Sequence, residues 1–312
     1  MPLTGQARAF LDEVASKGSP PSYTITPQEA RLNRDVPLEP GPDVGTVVDH
    51  VVSYGGADIP VRVYTPRGAG PHPVLVWFHG GGWVIGSLLS ADGTCRRISA
   101  GTECAVVSVD YRLAPEWKFP TAVEDCYAST CWVADNASAL NIDPGRIAVG
   151  GDSCGGTLAT VMTMLSKERK GPPLVFQLLI CPLADWNFET TSYRERSEGT
   201  RLTVRHMRWY KSHYLRDEAD ATHPYAAPLH ARDVSGLPPA LVITAEYDPL
   251  CDEGEAYAEK LKRAGVATTV RRYDGVPHLY YMVPGRIDEA KTTISQCCEA
   301  LRKAFAKRGT RK

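Results

Sequence analysis

The sequence lacks several features that mark specialised classes of protein. Its nine cysteines are odd in number and contain no C-x-x-C pair, so neither a disulfide framework nor a zinc site is predicted. No apolar run reaches the roughly 18 residues that a membrane helix needs, and residues 1–9 do not resemble a secretory signal. We therefore expect reduced thiols, no stable membrane insertion and a cytoplasmic location.

Excess charge of one sign is also missing. Lysine and arginine total 35 and aspartate and glutamate total 36, so nucleic acid is not an expected partner. No cluster of histidine, cysteine and acidic residues has the spacing of a metal site. The hydrophobic fraction of 43% allows a sizeable core. The charge balance also gives no reason to expect an anionic membrane surface as partner.

Short apolar runs alternate with longer helical patterns. The predicted strands are 47–53, 59–64, 74–78, 104–109, 147–149, 174–181, 240–245 and, at the sheet edge, 268–273. The predicted helices are 122–134, 155–167, 253–264 and 289–307. Gly55-Gly56 lies between the first two strands, which predicts a hairpin. The order strand, helix, strand predicts an α/β fold with a largely parallel sheet.

Two regions depart from this alternation. Residues 1–45 begin with an amphipathic helix, and residues 184–235 interrupt the sheet pattern with a helix at 204–215 that carries Trp209 and Tyr210. Inserts after core strands lie at the carboxyl edge of a sheet, where ligands bind, so we interpret both regions as parts of a cap. A packed surface helix is the alternative. The core would then comprise residues 46–183 and 236–312.

The motif G-x-S-x-G occurs at 151–155, after a predicted strand and before a predicted helix. This context is typical of a nucleophile elbow, which makes Ser153 the candidate nucleophile. The H-G-G-G run at 79–82 also follows a buried strand. Backbone N–H groups of Gly81, Gly82 and Cys154 are the predicted oxyanion donors. A phosphate loop is discounted, because no Gly-Lys-Ser/Thr follows.

The remaining members of a serine triad should follow in the order Asp, His. Asp248 lies on a loop after the strand at 240–245, and His278 lies on a turn after the weaker strand. Three rival acids are Glu246, Asp252 and Asp274. We prefer Asp248 because Pro249 fixes its loop position. His278 would act as the base that deprotonates Ser153, and Asp248 would orient it.

The sequence resembles the hormone-sensitive-lipase family of microbial carboxylesterases, in its GDSAG subgroup. The matching motifs are HGGGW at 79–83, DYRLAPE at 110–116, FPTAVED at 119–125, the elbow at 151–155, DPL at 248–250 and DEG at 252–254. The resemblance implies an α/β-hydrolase fold with an eight-stranded, mostly parallel sheet and a helical cap. It also implies a small-molecule ester substrate with a short- to medium-chain acyl group, hydrolysed without a cofactor, and a homodimer through the edge strand near 268–273.

The resemblance assigns the oxyanion hole to Gly81, Gly82 and Cys154, and makes His79 and the motif at 111–116 scaffold. Two departures occur: Cys154 replaces the usual alanine, and Leu279-Tyr280 replaces the common Gly-Phe after His278. The candidate pocket residues are Trp83, Trp209, Tyr210 and Leu279.

Some alternatives stay open. An amidase or arylacetamide-deacetylase-like hydrolase would use the same triad, and a non-catalytic small-molecule receptor would lack the triad histidine that is present here. The Cys154 thiol is either reactive, at a helix N-terminus, or buried and inert.

Overall fold

A computed structural model describes residues 2–34, 39–196 and 198–306. Its strands are β1 (Thr46–Tyr54), β2 (Ala57–Thr65), β3 (His72–Phe78), β4 (Ala105–Val109), β5 (Ile142–Asp152), β6 (Leu174–Ile180), β7 (Ala240–Tyr247) and β8 (Thr268–Pro277). Its helices are α1 (Gly5–Ser16), α2 (Pro27–Arg34), α3 (Leu88–Thr102), α4 (Thr121–Asp135), α5 (Cys154–Arg169), α6 (Thr191–Glu195), α7 (Val204–Tyr214), α8 (Cys251–Arg263) and α9 (Asp288–Ala306).

The strands form one eight-stranded sheet in the order β1-β2-β4-β3-β5-β6-β7-β8. β1 and β2 form the predicted hairpin, and β2 pairs antiparallel with β4. Every other neighbouring pair is parallel. The predicted α/β-hydrolase fold, with a mostly parallel sheet and β8 at its edge, is therefore confirmed.

Helices cover both faces of the sheet, which explains why its central strands read as continuous apolar runs. In β3, Val74 and Val76 belong to a core that also contains residues of α4, α5 and α8. Leu75 and Trp77, which point the other way, belong to a second core with α3 and α9. A strand buried on both faces leaves no polar positions to mark its period of two.

Three elements of the core differ clearly from the predicted ones. Helix α3 was not predicted; Ser87 and Ser90 form a capping box at its start. β5 begins five residues before the predicted strand and includes Pro144-Gly145, which interrupt its apolar pattern. β8 continues to Pro277 beyond the predicted end, because Gly275, at φ +71°, lets the strand bend and resume pairing with β7.

The two predicted cap regions pack over the carboxyl edge of the sheet. α2 contacts the loop after β3 through Arg31, and α7 reaches the same loop through Tyr210. Residues 1, 35–38 and 197, within these regions, and 307–312 lie outside the described residues, so the proposed domain boundaries stay predictions. Across the ranges described above, no helix is long and apolar enough to cross a membrane.

Candidate active site

Ser153 lies between the last residue of β5 and the first residue of α5, with φ +56° and ψ −125°. This is a sparsely populated backbone conformation for a residue with a side chain. The turn needs small neighbours: a Cβ on Gly155 would overlap the carbonyl of Phe78, and one on Gly151 would overlap Gly155. The glycines of the motif therefore permit the sharp turn that carries Ser153.

His278 directly follows β8, and its Nδ1 lies 2.6 Å from Oδ2 of Asp248. Both residues are buried, with 4% and 0% of their surface exposed. The other carboxylate oxygen of Asp248 accepts a hydrogen bond of 2.9 Å from the N–H of Leu250. Asp248 is thus held on one side by its own loop and contacts the imidazole on the other.

Each rival acid has a different partner. Glu246 accepts a hydrogen bond from the N–H of Gly275 at 2.8 Å. Asp252 accepts one from the N–H of Ser192 at 2.8 Å. Asp274 is exposed and pairs with Arg272 at 2.8 Å. Among the four acids, Asp248 is the one in contact with His278.

Asp152 precedes Ser153 in the elbow, and its carboxyl interacts electrostatically with His278. It is buried beneath the glycine loop, where a Cβ on Gly80 would overlap its carboxyl. Burial raises the pKa of Asp152 to about 6, and the charge of nearby His278 opposes that rise. The end of β5 and the turn after β8 therefore meet at the same edge of the sheet.

The predicted oxyanion loop follows β3. Gly81 and Gly82 have φ of +124° and +60°, a region that glycine adopts without strain. The carbonyl of Gly81 accepts hydrogen bonds from the N–H groups of Val84 at 3.1 Å and Ile85 at 3.0 Å, which closes a tight turn. A Cβ on Gly81 would overlap the backbone of Ile85. The glycines are needed for this turn, independently of any ligand.

Residues of the matching motifs support the loop from below. The ring of His79 stacks on Tyr111 with centroids 4.3 Å apart, and the Tyr111 hydroxyl donates to the His79 carbonyl at 2.7 Å. Arg112 pairs with the fully buried Asp125 at 2.6 Å. These contacts fit the scaffold role that the resemblance gave to this segment.

Arg31 is a site residue that sequence reasoning missed. Its guanidinium donates to the carbonyls of Val84 at 2.9 Å and Ala114 at 2.7 Å and pairs with Glu116. Through these bonds α2 holds the turn that follows the glycine loop. Glu116, the last residue of the DYRLAPE motif, indicated that a basic partner was needed. Nothing in the sequence identified Arg31, which is 85 positions away, as that partner.

The side chain of Cys154 points away from solvent and is 1% exposed. Its sulfur accepts a hydrogen bond from the N–H of Trp83 at 3.3 Å and lies 3.7 Å from the Tyr111 hydroxyl. Burial raises the pKa of the thiol to about 12. The surroundings of Cys154 are those of a small core residue.

The cap contributes aromatic side chains over the glycine loop. A Cβ on Gly82 would overlap the ring of Tyr210, so this ring lies directly against the loop. Trp83 stacks on Tyr214 with ring centroids 4.1 Å apart and an angle of 3°. Trp209 packs against Tyr210 at 5.3 Å. Of the two candidate pocket residues on α7, Tyr210 is the one in contact with the oxyanion loop.

A cavity of about 100 Å³ adjoins the glycine loop. Its walls include Gly80, Gly81, Ile85, Asp152, Leu279 and Met282. Leu279, at φ +58°, is thus the candidate pocket residue that lines this space. Trp83, Trp209 and Tyr210 are not part of its lining.

One group of possible metal ligands occurs within the part of the chain that the structure describes. The ligand atoms of Cys181, Asp248 and His278 lie within 4.8 Å of one another. Two of these residues already form the 2.6 Å pair, and an imidazole nitrogen that donates a proton to a carboxylate cannot also bind a metal. We therefore interpret the group as part of the hydrogen-bonded site.

Comparison with known proteins identifies the family of this chain. Residues 75–282 match the model of a family described as alpha/beta hydrolase fold. The carboxylic ester hydrolase LipN of Mycobacterium tuberculosis is 42% identical over 261 residues, which cover 81% of this chain and 69% of LipN. The chain belongs to the α/β-hydrolase family.

Further relatives narrow the assignment of this hydrolase. An arylesterase of Saccharolobus solfataricus is 38% identical over 292 residues, covering 91% of this chain and 94% of the relative. The solved structure of a hyperthermophilic esterase from the archaeon Pyrobaculum calidifontis superposes with a TM-score of 0.92 at 39% identity, covering 97% and 99% of the two chains. The resemblance to hormone-sensitive-lipase-like carboxylesterases is confirmed, and the chain is a carboxylic ester hydrolase.

Proposed function

We propose that this hydrolase cleaves short- to medium-chain acyl esters through an acyl-enzyme on Ser153. The observation that carries the proposal is the buried 2.6 Å contact between Asp248 and His278, at the sheet edge where the strained elbow presents Ser153. A serine hydroxyl is a weak nucleophile until a neighbouring base removes its proton. The site supplies that base and a carboxylate to orient it.

In the proposed reaction, Oγ of Ser153 attacks the ester carbonyl carbon while Nε2 of His278 takes the hydroxyl proton. Asp248 stabilises the resulting imidazolium. The N–H groups of Gly81, Gly82 and Cys154 bind the negatively charged oxygen of the tetrahedral intermediate. Collapse expels the alcohol, which takes the proton from His278, and water then releases the acid by the same steps.

The cavity beside the glycine loop supports a preference for short acyl chains. An apolar cavity of roughly 150 Å³ holds a benzene molecule, so a space of about 100 Å³ fits a chain of a few carbons. Leu279 and Met282 are apolar residues of its lining. Longer acyl chains would bind only if residues of the cap moved away from this cavity.

The test is turnover of aryl esters from acetyl to dodecanoyl, beside matched anilides. We expect the highest kcat/KM at four carbons or fewer and much slower anilide cleavage. Ser153→Ala and Asp248→Asn should each lower kcat by about 10⁴-fold or more. Asp274→Asn, which removes an exposed rival acid, is the control. Near-normal turnover by Asp248→Asn would refute the assignment of the acid, and faster anilide cleavage would favour an amidase.

We also propose a cytoplasmic location and a homodimer. All nine cysteines are free thiols, as a reducing compartment maintains them. β8 lies at the edge of the sheet beside β7, and the N–H of Thr4 donates to the carbonyl of Gly275 in β8 at 2.9 Å, so a second copy would pair with the stretch 268–273. Sedimentation of the purified chain tests the dimer, and a monomer at micromolar concentration would rule against it.

A further inference from the structure

The helix α6 of the insert is bonded to the loop that carries Asp248. The buried Ser192 in α6 donates its hydroxyl proton to the carbonyl of Pro249 at 2.6 Å. The same hydroxyl accepts a hydrogen bond of 3.3 Å from the N–H of Asp252. The Asp252 carboxylate in turn accepts one of 2.8 Å from the N–H of Ser192. Three hydrogen bonds thus join one serine to Pro249 of this loop and to Asp252 in the first turn of α8.

One peptide group lies between this serine and the triad. The carbonyl of the peptide that links Pro249 to Leu250 accepts the bond from Ser192. The N–H of that same peptide donates to Oδ1 of Asp248 at 2.9 Å. Oδ2 of Asp248 then contacts Nδ1 of His278 at 2.6 Å. The orientation of a single peptide plane therefore fixes one oxygen of the carboxylate that orients the base.

We propose that Ser192 is a positioning residue for Asp248, acting through the peptide between Pro249 and Leu250. The inference rests on the proposed triad function. Ser192 is 3% exposed and Asp248 is 0% exposed, so water is poorly placed to replace a lost bond. Without the serine hydroxyl, the Pro249 carbonyl loses its partner and the peptide plane is free to turn. Such a turn displaces the N–H that holds Asp248.

A second attachment makes this effect separable from loss of the cap. Oε1 of Glu253 accepts a hydrogen bond from the N–H of Ala184, at the beginning of the insert, at 2.8 Å. The contact between the Asp252 carboxylate and the N–H of residue 192 does not involve the serine side chain. The insert should therefore stay docked when the Ser192 hydroxyl is removed. A purely structural role for Ser192 would lower stability and leave kcat unchanged.

The test compares the full-length variants Ser192→Ala and Ser192→Thr. Ser192→Ala should lower kcat for a short ester about tenfold, the effect of losing roughly one buried hydrogen bond, with KM within twofold. Ser192→Thr, which keeps the hydroxyl, should recover most of the loss. In proton NMR spectra, the downfield signal of the proton between His278 and Asp248 should shift in Ser192→Ala and return in Ser192→Thr.

Asp217→Ala is the matched control. Asp217 caps a short 3₁₀ helix of the insert (Glu218–Thr222), where it accepts a hydrogen bond from the N–H of Ala219 at 2.9 Å, and it is exposed. Its removal should leave kcat and the NMR signal unchanged. Unchanged kcat in Ser192→Ala, or an equal loss in Asp217→Ala, would overturn the inference. Failure of the proposed function is distinct, because Ser153→Ala would then retain turnover.

Discussion

The thiol of Cys154 allows a quantitative prediction, because it lies next to the nucleophile in sequence yet faces the core. At pH 8, a thiol with a pKa of about 12 is ionised to roughly one part in 10⁴. An ordinary cysteine with a pKa of about 8.5 is roughly one quarter ionised at that pH. Since the thiolate is the reactive form, the reactive fraction of Cys154 should be smaller by about three orders of magnitude, and its burial adds a steric block.

The assay is a time course of inactivation by N-ethylmaleimide at pH 8, with the alkylated residues identified by mass spectrometry. Wild type should keep its ester turnover while Cys131, which is partly exposed, is labelled first. Cys154→Ala should retain kcat within about threefold. It should lose about 1–2 kcal/mol of unfolding free energy, because the N–H of Trp83 loses its acceptor and a small void forms.

A rapid loss of wild-type activity that Cys154→Ala abolishes would refute this reasoning. Such a result would mean that the thiol reaches solvent beside Ser153 and that the burial of its sulfur is not maintained in solution. Equal inactivation of both proteins would place the reactive thiol elsewhere and leave the prediction for Cys154 intact.

Two further predictions concern the glycine loop and the buried acid beneath it. Gly82→Ala should lower kcat/KM at least about a hundredfold, because the new Cβ overlaps Tyr210 and displaces an oxyanion donor. The control is Gly236→Ala, which has a similar φ of +65° and open space around it and should leave kcat/KM unchanged. Asp152→Asn should be more stable than wild type at pH 8 but not at pH 4, as measured by urea unfolding. The pKa of Asp152 is raised from 3.8 in the unfolded chain to about 6 in the folded protein, so the folded state holds this proton more tightly. The wild type therefore loses about 3 kcal/mol of unfolding free energy as the pH rises through that range. An equal difference in stability at both pH values would contradict this account.

The sequence predicted the central sheet well because its strands are buried on both faces. Runs such as Ala105–Val109 combine three β-branched valines with two small residues, a composition that fits a strand buried on both faces. Helix α3 was missed because Gly93 and Thr94 lower its helix propensity, and its formation depends on packing against α9. Its capping box at Ser87 was the local signal available.

The candidate site likewise contains residues that the sequence could predict and contacts that it could not. Ser153 and the glycines could be predicted because a strained turn demands particular residues at adjacent positions. The choice of Asp248 over Asp252 could be favoured but not decided, since four acids lie within a short distance in sequence from the relevant strand ends. Contacts such as that of Ser192 with Pro249 join residues 57 positions apart, and no local pattern encodes them.

The stacking of Tyr214 on Trp83, and the close approach of the Tyr210 ring to Gly82, have a consequence for protein engineering. Caps of esterases are attractive modules to exchange between relatives in order to change selectivity. Here the aromatic rings of the insert pack directly against the glycine turn, so a change in either segment alters the packing of the other. A chimera that imports residues 184–235 from a relative should import residues 79–86 from the same relative, because the two segments form a single transplantable unit.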